Sequence, residues 1–150
     1  MENARPTAPA RTPTHLWIVG VLALLWNGYG AYDYTMSHIG GLEFFESVGL
    51  DAAAYEWFLA MPAWAVGAWA IAVWVSLLGA ILLLARSRHA ASAFVVSLAA
   101  ALVSFAYQFT SDRPASMDGG AAMIMPVVIL AAIVLQWYYA RRMTATGVLR

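Results

Sequence analysis

Five residues set in apolar surroundings carry the groups that can do chemistry: Asn27, Asp33, Trp69, Trp74 and Gln108. Two amides, one carboxylate and two indoles do not make a catalytic set. They offer hydrogen bonds, one negative charge and flat aromatic faces, which is the chemistry of binding. Polar side chains within apolar helices are costly to bury and accordingly have a partner or a purpose. Asn27 is expected to hydrogen-bond across a helix interface, to Ser76, Ser104 or Gln108, and so to fix packing. In the functional alternative, Asn27, Asp33, Gln108 and the outer tyrosines line a cavity open to the outer side; in the plain one, Asp33 is simply hydrated. Trp69 and Trp74 lie roughly 10 and 18 Å along a charge-free run at about 1.5 Å per residue. Their indole N–H groups favour a facing helix, and two uses stay open for them, packing against helices or lipid and forming a ligand box.

Catalysis finds no constellation. The three histidines, His15, His38 and His89, show no H-E-x-x-H spacing, and there is no cysteine to serve as nucleophile or thiolate ligand. Gly119-Gly120 reads as a turn rather than as part of a phosphate loop. No catalytic, metal or cofactor residues are assigned, and the chain is not expected to be an enzyme. Two lesser readings remain: His15 with His89 as a haem or metal pair, and the acids Glu43, Glu46, Asp51, Glu56, Asp112 and Asp118 as a calcium site. The plain alternative for the acids is a solvated acidic face.

The elements that must position these residues follow from composition. Of 150 residues 63% are hydrophobic and only 11% charged, which points to the bilayer. A net charge of zero argues against a nucleic-acid partner held through phosphates. A span needs about 20 mostly apolar residues, and four such windows are found, near residues 16–34, 63–85, 90–109 and 122–140. The fold class expected is all-α, an integral membrane four-helix bundle with a short amphipathic periplasmic helical segment between spans one and two.

That segment opens at Gly40-Gly41, breaks at Gly49 and restarts with Asp51 as N-cap of residues 52–60. Pro62 suits the first turn of the second span. Residues 1–14 are expected to be a disordered cytoplasmic N-terminus, 15–143 the membrane domain and 144–150 a cytoplasmic tail. The N-terminal apolar run also has some character of a cleavable signal, with Gly28 and Gly30 as small residues, but it extends beyond a usual signal core.

Small and polar residues mark the faces that meet, because helices in lipid associate by close packing and a few hydrogen bonds. Gly20, Ala23, Asn27, Gly30 and Tyr34 form one stripe; Ala68, Ala72, Ser76 and Ala80, with Gly79, a second; Ala93, Ser97, Ala100, Ser104 and Gln108 a third. They predict a left-handed antiparallel bundle. Pro126 is expected to bend or loosen the start of the fourth span. Most tryptophans and tyrosines fall at the span ends, as interfacial belts do.

Orientation follows from the arginines. Seven of the eight, Arg5, Arg11, Arg86, Arg88, Arg141, Arg142 and Arg150, fall on one side of a four-span chain, and Arg113 alone on the other. Both termini are therefore expected in the cytoplasm, with seven acids outside.

The run from Trp26 to Tyr34, then Met61-Pro62-Ala63-Trp64, the stretch from Trp69 to Trp74, Leu78-Gly79-Ala80 and the tail from Tyr139 to Met143 resemble a family of short four-span proteobacterial inner-membrane proteins. Members are often labelled sugar transporters. The resemblance covers nearly the whole chain and implies the four-span topology and the inner membrane. It brings no catalytic or binding residue. Two functions remain: a noncatalytic accessory or scaffold protein that packs against membrane partners or lipids, or a small-solute carrier or channel working as an oligomer. The lipid bilayer is the direct partner in both, and a membrane protein or a second copy a further one.

Overall fold

A computed structural model describes residues 11–150. All regular structure among these residues is helical: α1 (Thr14–Ile39), α2 (Gly41–Ser47), α3 (Ala52–Leu59), α4 (Ala63–Leu84), α5 (Ala90–Thr110) and α6 (Gly120–Ala145), with a 3₁₀ turn at Ala115–Asp118. The expectation of disorder over residues 1–14 falls mostly outside the described residues. Residues 11–13 are irregular, and α1 starts at once after the extended Pro13.

Three helices, α4, α5 and α6, are long and apolar enough to cross a membrane. The fourth expected span, residues 16–34, is part of the longer α1, which carries Asn27, Asp33, His38 and four tyrosine or threonine side chains towards its end. These polar groups dilute its apolar character and set it apart from the other three. At 26 residues it is about 39 Å long.

The connection between α1 and α4 folds much as its sequence predicts. Asp51 caps α3, accepting the Ala54 N–H at 2.9 Å. Phe45, Ala54 and Phe58 bury one face of this helical pair in a small core of its own. Pro62 stands just before α4, with extended backbone, rather than inside its first turn.

The long helices pack in chain order, α1 on α4, α4 on α5 and α5 on α6. The small-residue stripes make these contacts. Ala72, Ser76, Gly79 and Ala80 are buried on α4, and Ala93, Ser97 and Ser104 on α5, where Ala101 rather than the expected Ala100 completes the buried face; Ala68 and Gln108 are only partly covered. At Gly79 a Cβ would lie 2.9 Å from the Phe94 ring, so only glycine permits the approach. Ser97 donates from Oγ to the Ala72 carbonyl at 2.6 Å, joining α5 to α4. α6 has no comparable backbone packing on α1, so the expected closed bundle is instead an open one. Two side-chain bridges span that gap: Asn27 to Gln136, and His15 to Tyr139 at 2.6 Å.

Residues 144–150 are not a free tail. α6 continues to Ala145, Gly147 turns the backbone with φ +73°, and Val148 and Leu149 are buried against a core that includes Leu16, Leu83, Ala90 and Met143. Arg150 then pairs by backbone with the α4–α5 turn: its N–H reaches Arg86 O at 2.8 Å, and its carbonyl accepts Arg88 N–H at 3.0 Å.

Candidate functional site

Near the middle of α1, the buried Asn27 ties three helices together. Its Nδ2 donates to the Ala23 carbonyl within α1 at 2.7 Å and to Gln136 Oε1 on α6 at 2.6 Å. Its Oδ1 accepts the hydroxyl of Ser76 from α4. Every buried polar side-chain atom among the described residues has a partner. Of the three partners expected for Asn27, Ser76 is correct. Ser104 and Gln108 line the same cavity but are not bonded to it, and α6 supplies the second amide instead. Gln136 is not singled out by sequence reasoning, although it is the one amide in the apolar run of α6, the same signal that marks Asn27.

This polar knot borders a cavity of about 340 Å³. All four long helices contribute to its wall: Asn27 and Asp33 from α1, Trp69 from α4, Gln108 from α5 and Pro126 from α6. Leu50, Arg113 and Met117 from the connecting segments reach it as well. Four of the five sequence candidates thus meet around one space. Trp74 does not. It is 47% exposed and only its edge-on contact with Tyr34, at 6.4 Å, involves another ring.

Apolar side chains dominate the wall, among them Phe105, Met125, Ile129 and Ile133. Its polar groups are few. Asp33 is half-buried and makes no hydrogen bond or ion pair with another described residue. Arg113 is well buried, with 13% of its side chain exposed, and its charge is met by Asp118 at 2.9 Å. The guanidinium also lies over the Phe109 ring, 4.5 Å from its centre. Pro126, which has no N–H, leaves the carbonyl of Ala122 without its helical donor, and both residues line the cavity.

An aromatic cap adjoins the cavity where α1, α3 and α4 meet. Trp69 stands edge-on to Tyr34 at 5.0 Å and to Phe58 at 5.9 Å, with the His38 ring 5.8 Å away. Trp57 and Trp64 both contact Tyr107. The aromatic residues expected as an interfacial belt therefore pack on one another at this end. Asp51 joins the cap to the α5–α6 connection by accepting the Ser116 hydroxyl at 2.8 Å. The Ala54 amide and, second, the Ser116 hydroxyl hold the Asp51 carboxyl below the usual carboxylate range.

At the opposite end, Arg11, His15, Tyr139 and Arg142 surround a second cleft between α1 and α6. His15 is engaged there with Tyr139. No group of three or more His, Cys, Asp or Glu side chains among the described residues is arranged to hold a metal ion. For the acids, the lesser reading of a calcium site finds no such grouping among the described residues, where Asp51 is used as a cap and Asp118 as an ion-pair partner.

Fold and site together define an all-helical protein with three helices suited to a membrane and a largely apolar cavity walled by four. No protein-family model, curated protein or solved structure matches the chain.

Proposed function

We propose that the chain is a noncatalytic four-span membrane protein that binds a small amphipathic molecule in the cavity between its spans. The observation that carries this reading is the cavity itself, with predominantly apolar walls and a few separated polar groups, the usual make-up of a small-molecule site. α1 acts as the fourth span: its outward face is apolar, with Ile18, Leu22 and Leu25 exposed, while its polar residues Asn27 and Asp33 turn to the knot and the cavity. Arginines at one end and acids at the other support cytoplasmic termini and a bacterial inner membrane. The family resemblance of the sequence supports the same topology.

Binding serves an accessory role, in which lipid or another amphiphile is held within the bilayer beside a membrane partner. A carrier is the second reading, and the knot favours it specifically. Asn27, Ser76 and Gln136 lie beside the cavity on the way to the arginine-rich end, so their parting would extend the space inwards. The deciding experiment uses native mass spectrometry of protein extracted in lipid nanodiscs. Wild type is expected to retain a small molecule, and Ser104→Phe, which fills the cavity, is expected to lose it while keeping its helicity. Equal retention by both would overturn the reading. Solute flux into vesicles, abolished by Asn27→Leu at unchanged abundance, would select the carrier.

A further inference from the structure

We infer that the cavity is a site for an organic cation, an amine or quaternary ammonium with apolar substituents, and that Asp33 is its counter-ion. The inference deepens the proposed binding function and rests on it. Two independent features agree on this chemistry.

The first is charge. Asp33 and Arg113 are the acidic and basic residues of the wall, and they differ in what answers them. Arg113 is satisfied by Asp118, whereas Asp33 has no partner among the described residues and stands half-buried at the cavity. The wall therefore carries one unanswered negative charge. A carboxylate in such surroundings is stabilised by a cation that brings few polar groups of its own.

The second is the aromatic surface beside that charge. Trp26 and Tyr29 precede Asp33 by seven and four residues on the same side of α1, Trp69 comes from α4, and all three line the cavity with it. Aromatic faces attract alkylammonium groups, most strongly where water is excluded, and they do so without hydrogen bonds. A sugar fits less well. Its ring of hydroxyls would meet Phe105, Met125 and Ile129 and find few free acceptors beyond Asp33, Ser104, Gln108, the Tyr29 hydroxyl and the Ala122 carbonyl. An anionic amphiphile would place its charge against Asp33.

The test is equilibrium binding to wild-type protein in nanodiscs, read against empty nanodiscs. The probes are benzyltrimethylammonium and its uncharged carbon isostere neopentylbenzene, which share a shape and differ in charge. Wild type is expected to bind the cation at least tenfold more tightly than the isostere. Asp33→Asn is expected to lose that preference and Asp33→Glu to keep it, with circular dichroism and melting temperature showing that both fold. Trp69→Leu is expected to weaken the cation more than the isostere. If Asp33→Asn binds the cation as wild type does, or if wild type shows no preference, the inference is wrong. Binding of the isostere alone, lost in Ser104→Phe, would leave the cavity reading standing without the cation. Binding of neither probe would overturn both.

Discussion

Asn27 on α1 donates to Gln136 on α6 at 2.6 Å, bridging two helices whose backbones do not pack closely together. With Ser76 on the other side of the same amide, this bond sets the register of an otherwise apolar interface. Asn27→Leu strands the Gln136 amide and the Ser76 hydroxyl at once. Interhelical hydrogen bonds in membranes contribute about 0.6 kcal/mol on average, and a stranded buried group costs about 1–3 kcal/mol. A loss of about 1–3 kcal/mol is expected in unfolding by SDS in mixed micelles. Adding Gln136→Leu should cost less than the sum of the two single changes, since the second substitution removes the group that the first leaves unpaired.

Gly79 and Gly67 lie on the same helix and should respond oppositely to alanine. The Cβ at position 79 would lie 2.9 Å from the Phe94 ring, which is fully buried and has no room to move, whereas nothing lies within 4 Å at Gly67. Gly79→Ala is expected to lower stability by about 1–3 kcal/mol through overpacking. Gly67→Ala should be neutral or raise it by up to about 1 kcal/mol. Thermal melts of the two variants in one detergent check the contrast.

Asp51 should make the start of α3 sensitive to acid. Its carboxyl titrates below its ordinary value because the charged form accepts from the Ala54 amide and the Ser116 hydroxyl. A depressed folded value means that the stabilisation is complete above the unfolded value, about 3.9, and is lost as pH falls through the folded one. Protection of the Ala54 amide against hydrogen exchange is expected to hold at neutral pH and to drop below about pH 4. Asp51→Asn, which still caps but does not titrate, should show no such step.

Leu149 is 3% exposed and belongs to the core that holds Leu16 and Leu83. Leu149→Asp places a carboxylate there and is expected to cost about 2–4 kcal/mol. Arg150→Ala should cost far less, because the pairing of Arg150 with Arg86 and Arg88 uses backbone groups alone. Melting temperatures of the two variants distinguish docking of this segment from a surface charge effect.

The side of the membrane on which α1 begins decides between four spans and three. An epitope fused ahead of Arg11 is expected to be protected in intact spheroplasts and digested only after lysis. One inserted after Glu46, between α1 and α4, should be digested in both. Digestion of the first epitope in intact spheroplasts would place α1 outside the bilayer core.

Much of this architecture is written in local sequence. The apolar runs of α4, α5 and α6 fix where helices form, because their backbone bonds close within each segment whatever lies beside it. Gly49 and Asp51 likewise mark the α2–α3 break, since turn and cap chemistry acts over only three or four residues. The small-residue stripes of α4 and α5 also identify which faces meet. What the sequence did not reveal depends on separations of tens of residues. Asn27 needed a partner, but only the placement of α6 beside α1 made that partner Gln136, 109 positions away. Trp69 and Trp74, five residues apart, point about 140° away from each other on α4, but only the placement of the other helices made the Trp69 side the cavity wall and left Trp74 exposed. Asp33 was visible as a costly charge, whereas the space beside it exists only because α6 stays apart from α1. Burial and bonding within a helix are local properties; a cavity is the shape left between helices, and tertiary packing alone determines it.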